Sequence, residues 1–237
     1  MRPPTSGSEI PVLYPFRAVD DARTSVTELP NRRLRLTIDH EPLAGVTQEM
    51  LLWWFRNIGG DMEYAGGRHS RYRVWHPLDH ISWDLRSAGP SGQVGEGSRF
   101  HIVEEFGQDP AMRIDSIDTV EKLDRTGIRL VLRVAGIVVF QLEHTWSAGH
   151  DATHYVSVLD LGARTPLMRP VNAYLRRRVF RSGMENAWIK HNIEEVGRFE
   201  HFLPELWAAH TGGSIGPRPP ANPDGRAPLA TKKEEEG

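Results

Sequence analysis

From residue 100 to residue 161 apolar and polar positions alternate along the chain. Phe100 and Ile102 lead into Glu104-Glu105-Phe106, and segments 112–123, 128–135, 138–146 and 155–161 repeat the pattern with many Val, Ile, Leu and Thr residues. A period of two is that of strands with one buried face. Short turns such as Asp124-Arg125-Thr126-Gly127 and Ala135-Gly136 separate the runs. The expected arrangement is therefore an antiparallel meander.

Two helices flank it. Residues 46–58 carry Thr47 as N-cap and then Met50, Leu51, Leu52, Trp53, Trp54 and Phe55, and Gly59-Gly60 stops the run. This helix is apolar nearly all round, so it is expected either deep in the core or at the interface of a homodimer. After Pro170 a helical period runs from 171 to about 203, with Gly183 able to divide it and Pro204 near its end. The order of elements predicts an α+β fold, a curved antiparallel sheet wrapped around one long C-terminal helix with a cavity between them. Residues 88–98 read as a loop. Residues 1–10 and the Pro- and Gly-rich stretch 211–237 are expected to be disordered, leaving one domain over 11–210.

Composition narrows the chemistry. The chain has 237 residues and no cysteine, which removes disulfides, thiolate zinc sites and cysteine nucleophiles. Any metal has to be held by imidazole and carboxylate. A net charge of −2 gives no reason to expect nucleic acid or an anionic membrane as partner. The first residues, Met1-Arg2-Pro3-Pro4-Thr5-Ser6, lack the apolar stretch of a signal peptide, and no run approaches the length of a membrane span, so a cytoplasmic location is expected.

The terminal helix carries the most informative pair. At about 100° per residue, Met184, Trp188, Ile189, Val196, Phe199, Phe202 and Leu203 share one arc. His191 and Glu195 fall in or beside it, one turn apart, while Lys190 and Glu194 fall outside. A carboxylate on a buried face is costly unless it is paired or binds a metal. His76-Pro77-Leu78-Asp79-His80 supplies two histidines one turn apart if Pro77 opens a helical turn. In Glu104-Glu105 a strand would send one side chain inward and one outward. His144 lies in a strongly apolar strand, with His154 a weaker alternative. Together these residues form an N/O donor set suited to Zn²⁺, with Mn²⁺ and Fe²⁺ also served.

The runs Arg71-Tyr72-Arg73-Val74-Trp75-His76-Pro77-Leu78-Asp79-His80, Ile102-Val103-Glu104-Glu105, Leu142-Glu143-His144-Thr145-Trp146, His191-Asn192-Ile193-Glu194-Glu195-Val196-Gly197 and Phe202-Leu203-Pro204 resemble the diacetylphloroglucinol hydrolase and phloretin hydrolase family, over roughly residues 40–207. The resemblance implies a Bet v 1-like fold and hydrolysis of the carbon–carbon bond joining an acyl group to a phenolic ring. It implies Zn²⁺ held by two histidines and two glutamates. These would be His76 or His80, then Glu105 with Glu104 as the alternative, then His191 and Glu195. His144 would be a non-ligand histidine shuttling a proton near an acyl-phenol substrate, and Tyr72 would touch a phenolic hydroxyl. The same cavity without metal would suit a ligand carrier or polyketide-cyclase-like protein walled by Trp53, Trp54, Trp75 and Trp188. The same metal could also serve ester or lactone hydrolysis.

Overall fold

The computed structural model describes residues 9–212. Strands β1 (Arg23–Leu29), β2 (Arg33–Asp39) and β3 (Leu43–Ala44) lead to helix α1 (Gln48–Asn57). The hairpin β4 (Asp61–Tyr64) and β5 (Gly67–Ser70) runs into a short helix α2 (Arg71–Trp75). Six further strands follow, β6 (His80–Ser87), β7 (Arg99–Glu105), β8 (Arg113–Asp124), β9 (Gly127–Val134), β10 (Ile137–Ala148) and β11 (Ala152–Leu161). Helices α3 (Arg169–Tyr174) and α4 (Met184–Thr211) close the chain. Except for β4 and β5, which pair apart, the strands form one nine-stranded sheet in the order β1-β2-β11-β10-β9-β8-β7-β6, with β3 beside β11.

The sheet is curved and antiparallel, and α4 lies in its concavity, the helix-grip architecture that the meander and terminal helix predict. The grip is made by two apolar clusters. Trp188, Ile189 and Ile193 pack with Leu34, Leu36 and Ile38 of β2 and Leu159 and Leu161 of β11. One turn on, Val196, Phe199, Phe202 and Leu203 pack with Phe100, Val120, Ile128, Leu130 and Trp146. Helix α1 caps this second cluster. Its Thr47 hydroxyl accepts the Met50 amide, and Leu51, Trp54 and Phe55 are buried. Burying each of these side chains contributes roughly 2–3 kcal/mol. The apolar helix is therefore part of the core of a single chain.

Several elements depart from the sequence expectation. The segment from 171 to 203 is not one helix. A π-helical turn, Leu175–Val179, follows α3, and α4 starts only after Gly183, whose φ of 89° suits a residue without a side chain. Pro204 lies inside α4, which runs on to Thr211. The hydrogen bond that Pro204 forgoes is offset by packing beyond it, where Trp207 meets Trp53 edge to face. Ile10, placed by sequence in a disordered segment, is buried in the core. The expectations for residues 1–8 and 213–237 lie outside the described residues. Among the described residues no helix is long and apolar enough to cross a membrane.

Candidate metal centre

Three elements bring the chemistry together. Helix α2 and the turn after it are pinned to α4 by the Trp75 indole, which donates to the Glu195 carbonyl oxygen at 2.8 Å. The turn delivers His80 to the first position of β6, and the β6–β7 register sets His80 opposite Glu104. In β7, Phe100, Ile102 and Glu104 share the concave face, so the parity of the strand turns Glu104 inward. Helix α4 presents His191 and Glu195 one turn apart on the face that looks into the same space.

The donor atoms converge. His80 Nε2 lies 3.5 Å from Glu104 Oε1 and 3.4 Å from Glu195 Oε2. His191 Nε2 lies 3.8 Å from Glu104 Oε2 and 3.8 Å from Glu195 Oε2. Ligand atoms of His80, His191 and Glu195 all sit within 4.8 Å of one another. A tetrahedral ion with bonds of about 2.1 Å needs its ligands about 3.4 Å apart. The four distances given, 3.4–3.8 Å, are near that value, with Glu104 reaching His80 through Oε1 and His191 through Oε2.

The hydrogen bonds around the cluster decide which nitrogens are free. His80 Nδ1–H donates to the Tyr72 carbonyl at 2.7 Å, which leaves Nε2 with a lone pair and no hydrogen-bond partner. His191 Nδ1–H donates to Asp79 Oδ2 at 2.9 Å, so its Nε2 also offers a lone pair to the cluster. This is the usual way in which a carboxylate or carbonyl fixes a metal-binding imidazole. His76 is bound differently. Its Nδ1 accepts the Asp79 amide at 3.1 Å, so Nε2 carries the proton and donates to Glu194 Oε2 at 3.3 Å. His76 is thus a supporting residue that shapes the Asp79 turn, and the choice between the two histidines falls on His80.

Other sequence expectations need correction. Glu105 points to the opposite face and pairs with Arg113 at 2.7 Å, because adjacent strand residues alternate. It takes no part in the cluster, and Glu104 stands in its place. Tyr72 is buried at the site and lines the space beside the cluster; its hydroxyl donates to Glu104, which leaves the phenolic oxygen able to accept a hydrogen bond. Its ring stacks on His80 with centroids 4.0 Å apart. Glu194, expected outside the apolar arc, is buried between His76 and Lys190. Here α4 lies between the sheet and the α2–β6 turn, which buries residues 191–199, while Lys190 stays exposed. His154 is exposed, whereas His144 is buried and faces the interior.

Burial dominates the electrostatics of the cluster. Burial pushes the Glu104 carboxyl up to about 7, partly opposed by His80. Burial likewise raises Glu195 well above the carboxylate range. His80 and His191 are both lowered by burial, so both are neutral and able to ligate. Two carboxyls and two bare imidazole nitrogens thus face each other in a buried site. A divalent ion would neutralise the carboxylates and satisfy the orphaned His80 nitrogen.

Two spaces abut this cluster. A small one, about 50 Å³, is lined by Tyr72, Trp75, Glu104, His144, His191 and Glu195 among apolar side chains. A larger cavity of about 470 Å³ lies between β7–β11 and the segment before α4. Glu104, Ile102, Leu130, Leu142 and Trp188 line both, so the two meet at the cluster. In the small space His144 Nδ1 lies 2.9 Å from the Ser157 hydroxyl. Burial lowers the His144 pKa to about 3, so at neutral pH the ring is neutral, with one N–H to donate and one nitrogen to accept a hydrogen bond.

Asp79 and Glu194, which hold His191 and His76, were not singled out in the sequence. The turn-forming Asp79 lies between the two candidate histidines, and that position was the available signal. Nor did the sequence point to the segment before β1. There Phe16 stacks on His76 with centroids 5.0 Å apart, and Arg17 bridges to Glu200 at 3.0 Å. Gly197 permits this crossing, since a Cβ there would meet Arg17 Cδ at 2.5 Å.

The fold and site define a helix-grip protein with a buried His₂Glu₂ cluster at one wall of an apolar cavity. No family model matches the sequence, and no curated protein matches it. Among solved structures the fold is similar to a START superfamily protein from Mycobacterium smegmatis, at 12% identity and TM-score 0.45 over 73% of this chain and 98% of that one. It is also similar to major latex-like protein 151 from Panax ginseng, at 6% identity and TM-score 0.42 over 71% and 95%. CalU16 from Micromonospora echinospora has 11% identity and TM-score 0.35 over 81% and 98%. Likenesses of this strength say nothing about ligand or chemistry.

Proposed function

We propose that this protein is a metal-dependent hydrolase that cleaves the carbon–carbon bond between an acyl group and a phenolic ring. The observation that carries the reading is the convergence of two bare imidazole nitrogens with the carboxyls of Glu104 and Glu195, 3.4–3.8 Å from them, on the wall of an apolar cavity. His80, Glu104, His191 and Glu195 would hold the ion, Zn²⁺ being the ion best suited to this donor set, with Mn²⁺ and Fe²⁺ also suited. When bound, it would supply Lewis-acid polarisation of an acyl carbonyl and acidify water beside it. The family resemblance on the motif residues supports the choice of acyl-phenol over other carbonyl substrates.

The chain's own residues then have distinct parts. Asp79 and the Tyr72 carbonyl hold the two imidazoles in register, and the Tyr72 hydroxyl holds Glu104. The apolar walls keep bulk water from the ring. The neutral His144 lines the same small space and can orient attacking water by a hydrogen bond, while the proton that water gives up is matched by the one the ring carbon gains. The ring carbon must in turn gain a proton as the bond breaks. An electron-rich phenolic ring takes that proton readily, which is why such a ring can leave.

The test is turnover of a monoacylated phloroglucinol by purified protein supplied with Zn²⁺. The expected products are the free phloroglucinol ring and the carboxylic acid, at a rate that a chelator abolishes. Cleavage of phenyl esters or lactones alone would move the chemistry to carbon–oxygen bonds. No turnover of either, in protein that retains ligand binding, would favour a carrier with the same cavity.

A further inference from the structure

We propose that Asp118 determines ligand specificity in the larger cavity by receiving a ring hydroxyl of a neutral, hydroxylated aromatic ligand. This rests on the reading above in taking the cavity as the ligand site and an acyl-phenol as its class of ligand. Asp118 belongs to β8, where Ile114, Ser116, Asp118 and Val120 take the concave positions. It is 3% exposed and lines the cavity of about 470 Å³. One carboxyl oxygen, Oδ2, accepts the Ser116 hydroxyl at 2.7 Å. The other, Oδ1, is buried without a hydrogen-bond partner.

The surroundings explain why this is unusual. The walls beside Asp118 are Ile102, Leu130, Leu132 and Leu142, all apolar. The cations that line the cavity, Arg113, Arg178 and Arg181, are all exposed residues at its rim. A carboxyl with no cation and one idle oxygen is unfavourable in an apolar space. Burial pushes its pKa up to about 6, and the Ser116 hydroxyl is the one group that opposes the rise. The mechanism does not use Asp118.

A hydroxyl donor satisfies the idle oxygen, and the ligand must be otherwise apolar to match the walls. An anionic group at that point would be repelled. A phenol fits, with its ring against Trp188 and Leu142 and its hydroxyl on Asp118. The acyl end then lies toward Glu104, the residue common to both spaces. A site built to hydrogen-bond a hydroxyl rejects the analogue that lacks it, because the polar group stays unpaired.

The test is equilibrium binding of a trihydroxyacetophenone and its trimethoxy analogue to the full chain, read by quenching of tryptophan emission. Wild-type protein is expected to bind the hydroxylated compound about tenfold or more tightly than the methoxylated one. Asp118→Leu should abolish that preference by weakening the first and not the second. Asp118→Asn, which keeps shape and an acceptor oxygen, should retain part of it. The preference should survive His191→Ala, which separates this claim from that of a metal hydrolase. Equal binding of the two compounds by the wild type, binding of neither, or an unchanged preference in a folded Asp118→Leu protein would overturn it.

Discussion

Replacing His80 by Ala is expected to strip the protein of its metal, whereas His76→Ala should leave most of it bound. The two histidines are one turn apart and equally buried, so composition and exposure do not separate them. Their hydrogen bonds do. The Tyr72 carbonyl takes the Nδ1 proton of His80 and leaves Nε2 bare at 3.4 Å from Glu195 and 3.5 Å from Glu104. The Asp79 amide occupies Nδ1 of His76, and its protonated Nε2 faces Glu194. Losing His80 deletes a ligand. Losing His76 loosens the turn that holds Asp79 against His191, a supporting defect worth about 10–100-fold in affinity. Competition with a chromophoric chelator measures both. Loss in His76→Ala alone would move the site to His76, Asp79 and His191, whose ligand atoms also lie within 4.8 Å of one another, and equal retention by the two variants would contradict the assignment of His80.

The second large effect is on stability, and its sign is counter-intuitive. In metal-free protein Glu104→Gln is expected to raise Tm above pH 7. Burial pushes the Glu104 carboxyl from 4.5 up to about 7, with Glu195 adding to the rise. A carboxyl whose folded pKa is raised contributes most below its unfolded value. That contribution is lost as pH climbs through the folded value. The wild-type penalty therefore grows between about 4.5 and about 7 and is complete above that. A shift of that size corresponds to something on the order of 3 kcal/mol. For a domain of this length it is worth roughly 5–10 °C in Tm. Gln keeps an oxygen for the Tyr72 hydroxyl, so the variant removes the charge and little else.

The histidines His40, His76 and His144, lowered by burial to about 3, act in the opposite direction. They lose stability as pH falls, which is why the difference between variant and wild type is the quantity to follow. Thermal melts from pH 4 to pH 8 in chelator should show the two curves converging at the acid end and separating near pH 7. With metal present the order should reverse. A Gln variant no more stable than wild type at pH 8 would show that the carboxyls are not held at a cost.

Much of this was legible because the residues obey simple periods. The strands from β7 to β11 bury alternate side chains, so their pattern announces a meander. The helical period of α4 placed His191 and Glu195 inward before any coordinates. Two further features are legible in the same way. β2 alternates cleanly through Leu34, Leu36 and Ile38, all buried. Glu104 shares strand parity with Phe100 and Ile102, which already settles it over Glu105. Others had no local signal. β1 is an edge strand with nearly every residue exposed, so no hydrophobic face marks it. The choice of His80 depends on a backbone carbonyl eight residues away and on carboxylates from two distant elements. Glu194 is buried because a flank of α4 is covered by the α2–β6 turn, a fact of packing that a helical wheel does not contain.

The central claim is that four residues from α4, β6 and β7 hold a divalent ion. The most direct measurement is elemental analysis of protein purified without chelator, beside a His191→Ala variant. The account predicts close to one equivalent of metal in the wild type, zinc foremost, and none in the variant. A wild-type protein that carries no metal and takes up none from added Zn²⁺ would contradict it.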